Sequence, residues 1–251
     1  MSANSKFVYK LRLRREKMII HEIREELEKL IDRRYHDAAR KWTRGQIKLL
    51  GVRTPVVRKI SAKYFSRIKT KTRQEIFDLC EALLKSGYSE ERTIAFDWAF
   101  RLKKHYMPSD FYLFESWLKT YVSSWGACDD FCTHAFGAFI YQFPEFCPKV
   151  KKWTQSKNSW LRRASAVVMI YSIRRAKYLE TIFEMADMLL LDQNDFVQKG
   201  YGWMLKEASN LYPQEVFHYV MRHRAGMPRT ALRYAIEKLS PELKKKAMAK
   251  D

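Results

Sequence analysis

Five positions recur along this chain about every 35 residues, the period of a helix-pair repeat. Arg92, Asp129, Arg163, Lys199 and Arg233 follow one another at spacings of 37, 34, 36 and 34. Each lies in a helix-like segment rich in small or apolar residues: RTIAFDWAF, DDFCTHAFG, RRASAVVMI, KGYGWMLKE and RYAIEKL. A unit of that length cannot bury its apolar face alone, so it stacks on its neighbours. Stacking sets equivalent positions side by side, which predicts a row of cations interrupted by one carboxylate, Asp129. No run of alternating strand residues breaks the helical periodicity. The expected fold is all-α, an α-solenoid of HEAT-like helical repeats with a basic concave face.

The periodicity predicts helices near residues 16–33, 35–45, 54–68, 71–86, 89–104, 108–121, 124–142, 144–155, 158–175, 178–191, 194–208, 212–224, 228–238 and 240–249. Their boundaries carry ordinary signals. Thr54 can cap a helix that begins at Pro55, Ser89 opens SEER, and Ser123 and Ser124 precede Trp125. No Gly/Ser/Pro-rich linker divides the chain, so one domain over 1–251 is expected, with about 1–12 and 244–251 flexible.

Among 251 residues, 47% are apolar, which is a folding composition rather than that of a disordered basic tail. The net charge is +20, and its 48 Lys and Arg residues are spread along the whole length. Such a chain repels itself when compact and calls for a polyanion, nucleic acid ahead of an anionic membrane surface. No stretch approaches the ~20 apolar residues of a membrane span. The start, MSANSKFVYKLRLRREK, has no apolar signal core, so a cytoplasmic, intracellular protein is expected. Cys80, Cys128, Cys132 and Cys147 read as buried free thiols, and the six histidines do not cluster at ligand spacing, so neither metal nor cofactor is expected.

Trp125 and Asp129 in SSWGACDDFC are four apart and share a helix face. Alone, they read as a core aromatic and an acid near a helix N-terminus. In WLRRASAV, Arg163 could pair with Asp129 or with a phosphate. Gly200 and Gly202 in DFVQKGYGWMLKE cost about 1 kcal/mol each inside a helix relative to Ala, so they permit a close approach. That approach is either helix packing or a bulky partner near Trp203. Trp42, in ARKWTRGQIKLLGVRTP, is another aromatic set among cations, a composition used against nucleobases. The glycine-rich nucleotide-binding motifs and the HExxH metal motif are absent.

Taken together, LLGVRTPVVRKI, SSWGACDD, SWLRRA, and VQKGYGWMLKEA followed by MPRTALRYAIEKL resemble the AlkD-type DNA alkylation-repair glycosylases, over roughly Trp42 to Leu239. The resemblance implies HEAT-like repeats and removal of positively charged alkylated bases, 3-methyladenine and 7-methylguanine, from double-stranded DNA. It implies a catalytic carboxylate at Asp129. Cleft residues fall on Trp125, Trp203 and Arg163, with Trp42 where Tyr is usual and Gly126 where a second Trp is common. Arg92, Lys199, Arg229, Arg233, Arg53 and Arg58 would neutralise the DNA backbone, and a monomer would suffice. Two other readings fit a helical repeat: a non-catalytic binder of branched or damaged DNA, and a protein-interaction scaffold, which leaves the +20 charge unexplained.

Overall fold

A computed structural model of the chain describes residues 18–43 and 45–249, all helix and connecting turns, with no strand among them. The chain divides into two compact units after His105, at a 3-10 turn, Lys103–His105.

The first unit holds α1 (described over residues 18–28), α2 (Arg33–Trp42), α3 (Thr54–Ile68), α4 (Arg73–Leu84) and α5 (Ser89–Arg101). Asp32 caps α2 by accepting from the Tyr35 N–H at 3.0 Å. Thr72 and Glu75 form a reciprocal capping box on α4. Helix α3 starts at Thr54 with Arg53 in the cap position, so Thr54 is not the cap that the sequence suggested. Ser89 is likewise the first helical residue of α5, after Tyr88. The acid that follows it does more than favour the helix N-terminus. Buried Glu90 accepts from the N–H groups of Leu50, Gly51 and Val52 at 3.0, 2.8 and 3.1 Å, fastening that loop to α5. Gly51 has φ +101°, and a Cβ there would lie 2.6 Å from His36 Cβ, so the loop needs glycine. Ile23, Leu27, Ile76, Cys80, Leu83 and Ile94 are fully buried between the helices.

The second unit holds α6 (Asp110–Tyr121), α7 (Trp125–Thr133), α8 (Ala135–Gln142), α9 (Cys147–Lys152), α10 (Ser159–Val167), α11 (Ile170–Ile173), α12 (Leu179–Leu189), α13 (Asp195–Ser209), α14 (Pro213–His223), α15 (Arg229–Ala235) and α16 (Pro241–Met248). Its first core is aromatic. Phe111, Phe114, Trp117, Phe131, Phe136 and Phe139 are at most 1% exposed, and Phe114 meets Tyr106, Trp117, Phe131, Phe136 and Phe139 at ring distances from 5.2 to 5.9 Å. Burial of each such side chain contributes about 1.5–3 kcal/mol. Beyond it, α7, α10, α13 and α15 pack in succession, with α12 and α14 behind α13 and α16 on α14. This is the two-layer stack of a helical-repeat solenoid.

The repeat interval reappears as the separation of hydrogen-bonded side chains. Within the first unit the Trp98 indole donates to Ser61 O, 37 residues away. In the second, Trp153 reaches Glu115 across 38 residues, Arg163 reaches Asp129 across 34, and Arg174 reaches Glu207 across 33.

Two expected helices are broken. The segment 124–142 divides at His134, where φ is −120° and ψ −92°. Thr133 Oγ1 donates to Asp129 O at 2.7 Å, and His134 Nδ1 lies 2.8 Å from Asp130 O, so side chains take the last carbonyls of α7. The segment 158–175 divides after Val167, where Met169 N bonds Ala166 O in a tight turn. A left-handed stretch follows, with φ 56° at Ala176 and 66° at Tyr178. The first 12 residues, expected to be flexible, lie outside the described set, as do 250 and 251; α16 runs through 244–248.

Candidate nucleic-acid and catalytic site

Ser124 begins the site by capping α7, accepting from the Ala127 N–H at 3.3 Å. The cap fixes the phase of the helix. Trp125 is left 40% exposed, while Ala127 and Cys128 turn into the core. One turn on, Asp129 meets Arg163 of α10 in a fork. Nε reaches Oδ1 at 3.0 Å, and Nη2 reaches Oδ1 at 2.8 Å and Oδ2 at 3.0 Å. Nη1 donates to the backbone carbonyl of Phe196 on α13. One guanidinium therefore joins three successive helices, α7, α10 and α13.

The Arg163 side chain is only 6% exposed, against 18% for Asp129. Burial pushes the Asp129 carboxyl above the usual aspartate range, against the opposing pull of the Arg163 charge and hydrogen bonds. Oδ1 takes two of the three bonds, so Oδ2 keeps more of its lone-pair capacity.

Gly200 explains how Arg163 fits. A Cβ on it would lie 3.1 Å from Arg163 Cγ and 3.3 Å from Nη1. Gly202 faces the opposite neighbour, where a Cβ would lie 2.7 Å from Tyr234 Cβ and 2.8 Å from Ala231 O on α15. Both glycines thus serve helix packing within the fold, the first of the two alternatives left open by the sequence.

The expected cation row is revised by these contacts. Arg163 is a buried partner of Asp129, not a cation presented to a phosphate, because nine-tenths of its surface is covered. Gly200 rather than Lys199 lies against Arg163; Lys199 is turned to Asp195, 2.5 Å away in the same helix. Two further acids, Asp195 and Glu207, sit on α13. Arg229 and Arg233 are exposed on α15.

Trp203 is half-buried, and its Nε1 donates to Glu207 Oε1 at 2.8 Å. Arg174 grips the same carboxylate with two bonds of 2.9 Å and lies 5.9 Å from the Trp203 ring centre. Those Arg174 bonds, with the indole's help and against burial, hold Glu207 below the ordinary glutamate range. Sequence reasoning passed over both Glu207 and Arg174. The Trp203–Glu207 spacing of four was the available signal. It also passed over Phe196, which is 38% exposed. Trp160 is half-buried, with its ring centre 5.2 Å from that of Phe196.

The remaining expected residues belong to the first unit. Trp42, 68% exposed, ends α2. Arg53 forks onto Asp32 at 3.0 Å and lies over the Tyr35 ring. Arg58 lies 3.5 Å from Asp97, and Arg92 donates to Ser89 Oγ at 3.2 Å. Among the described residues, no three His, Cys, Asp or Glu side chains gather as a metal site, and no helix is long and apolar enough to cross a membrane.

Cys128 and Cys132, on the inner side of α7, are buried free thiols, and burial pushes Cys132 well up from its ordinary value. Cys80 is buried in the first unit, and Cys147 is half-exposed.

No curated protein matches this chain. Among solved structures, one described as a "predicted DNA alkylation repair enzyme from Enterococcus faecalis" superposes with a TM-score of 0.75, covering 84% of this chain and 97% of that one. At 16% identity the likeness is one of fold. The sequence model of the DNA alkylation repair enzymes matches residues 23–239. A match across most of the length places the chain in the DNA alkylation repair enzyme family, with a role in the repair of alkylated DNA.

Proposed function

We propose that the protein is a monomeric DNA N-glycosylase that hydrolyses the glycosidic bond of cationic alkylpurines, 3-methyladenine and 7-methylguanine, in duplex DNA. The observation that carries this reading is the Asp129 carboxylate, held by the Arg163 fork at the margin of the core, one helical turn from the exposed Trp125.

An N3- or N7-alkylpurine already carries the positive charge that activates it as a leaving group. Bond cleavage releases a neutral base and moves positive charge onto the sugar. An acid catalyst adds little to that step. A fixed carboxylate beside the sugar stabilises the oxocarbenium-like transition state, and more strongly in a poorly solvated place than in water. The Arg163 fork and the low exposure of Asp129 support that role. Arg163 fixes its orientation, and Oδ2 can accept a proton from the water that attacks C1′. Trp125 and Trp203 would contact the cationic nucleotide through their π faces and exclude solvent, with Trp42 as a further aromatic contact. Lys199, Arg229, Arg233, Arg92, Arg53 and Arg58 would serve the phosphates. No cofactor is needed, because the substrate supplies its own charge.

The deciding assay is release of 7-methylguanine from methylated duplex DNA under single-turnover conditions. The wild-type chain is expected to release it, and Asp129→Asn to lose about 10²–10³ of the rate, the usual effect of removing one preorganised electrostatic partner. Duplex affinity should change little. Equal release by the variant would remove Asp129 from the chemistry. Absence of release by the wild type, with tight duplex binding, would leave the non-catalytic reading.

A further inference from the structure

We infer that the second unit carries a nucleotide-binding cavity apart from the Asp129–Arg163 pair, built to take a phosphate joined to a planar base. A cavity of about 410 Å³ opens between α6, the end of α9 with the 3-10 turn Trp153–Gln155, and the start of α10. That volume lies in the range of small-ligand sites, roughly 300–1,000 Å³. Leu161 borders it, and Arg163 lies two residues further along the same helix, about 200° around its axis. The cavity and the ion pair therefore occupy different sides of α10.

The charges point to an anion. Three lysines border the cavity: Lys119, Lys149 and Lys152. Lys119 is neutralised by Glu115 at 2.8 Å, and Glu115 also accepts from the Trp153 indole at 2.8 Å. That carboxylate is thus already engaged on both oxygens and offers little repulsion to an anion. Lys151, on the outer turn, pairs with Glu184. Lys149 and Lys152 meet no carboxylate among the described residues.

Lys149 is half-buried, and what surrounds it is aromatic. Its ammonium lies 4.4 Å from the centre of the Tyr112 ring, 5.4 Å from Phe111 and 5.2 Å from Phe146. It donates to Tyr112 Oη at 2.6 Å. The rings remove water from one side of the ammonium without supplying a counter-charge, which a phosphate would provide. Tyr112 is 59% exposed, and its hydroxyl, in accepting from Lys149, keeps its own proton to donate to a phosphate oxygen.

The planar half of the ligand follows from the walls. Tyr112, 59% exposed, offers the open ring; it stands edge-on to buried Phe111 at 5.6 Å and 88°, and Phe111 in turn stacks on buried Trp153 at 6.0 Å and 17°, which fixes the ring's support from beneath. Cations interleaved with aromatic rings are the composition that holds a nucleotide by phosphate and base together. A cationic ligand would be repelled by Lys149 and Lys152, and a purely apolar one would strand their charges.

The test is calorimetric titration of the full-length chain with deoxyadenosine 5′-monophosphate, deoxyadenosine, inorganic phosphate, and a short single strand bearing a 5′-phosphate. The monophosphate is expected to bind, with deoxyadenosine and inorganic phosphate each at least about tenfold weaker. Lys149→Met and Lys152→Met keep the apolar stems, and each should weaken the monophosphate about tenfold while the thermal midpoint stays put. Should Lys149→Met unfold, the exposed Lys152→Met and Tyr112→Ala decide. A strand that binds more tightly than the monophosphate, with the same loss in the lysine variants, assigns the site to a strand end; equal affinity assigns it to free nucleotides. No binding by the wild type, binding indifferent to both lysine substitutions, or inorganic phosphate binding as tightly as the nucleotide would overturn the inference.

Discussion

At the scale of single residues, the fork between Asp129 and Arg163 ties stability and chemistry to the same atoms. Replacing Arg163 by Met strands a carboxylate at the margin of the core. Removing one partner of a buried pair costs about 3–5 kcal/mol, far more than the pair contributes net, so urea denaturation should register a loss of that order. A midpoint within 0.5 kcal/mol of wild type, on the order of an ordinary surface change, would show that the fork is incidental. The acid–base behaviour has a definite sign. The Asp129 carboxyl titrates above its usual value of 3.8 because burial disfavours the charged form. Its contribution to stability is therefore fully present below the unfolded value and is lost as pH rises through the folded one. Base release requires the ionised form and runs the other way. Release should fall as pH drops through a value higher than that of an ordinary aspartate, and Asp129→Asn should lack this acidic limb. A limb at or below the ordinary value would detach the profile from Asp129. Sequence spacing alone brought Asp129 and Arg163 together, because 34 residues separate equivalent points of adjacent repeats. It did not reveal that Arg163 would be covered, since that depends on Gly200 giving it room and on the Phe196 carbonyl receiving it. Nor did it reveal Glu207 and Arg174, whose pairing depends on where α11 ends relative to α13.

At the scale of elements, the helices were legible wherever a polar face alternates with an apolar one or a capping residue marks the start. The breaks at His134 and after Val167 were not. Ala164, Ala166, Val167, Val168, Met169 and Ile170 are all fully buried, so no amphipathic rhythm changes when the chain turns. At His134 the signal is two ordinary polar side chains taking carbonyls of their own helix, which composition does not announce. The glycines of α13 permit a sharper statement. Gly202→Ala gains about 1 kcal/mol of helix propensity but must push α15 away from a 2.7 Å contact. Overpacking of this kind costs about 1–3 kcal/mol, so the net effect should be destabilising. Gly126→Ala, whose added carbon meets nothing within 4 Å, should be neutral or stabilising by up to about 1 kcal/mol. Thermal unfolding of the two variants side by side distinguishes them; the same shift in both would mean that α13 and α15 are not in close contact.

At the scale of the whole molecule, the net charge of +20 sets how strongly any DNA encounter depends on counterions. The logarithm of duplex affinity should fall linearly with the logarithm of salt concentration, with a slope of about −0.9 per phosphate neutralised. Alanine at exposed Arg229 or Arg233 should lower the slope by about one each, and alanine at covered Arg163 should not. A flat salt response would exclude electrostatic binding to the backbone. The sulfur atoms give the molecule one more property. Cys128 and Cys132 point inward from the helix that carries Asp129, and the burial that shields them from reagent lasts only while that helix is seated. With Cys80 and Cys147 replaced, the speed of alkylation becomes an internal stopwatch for α7, counting each moment at which the candidate catalytic helix lifts away from its neighbours.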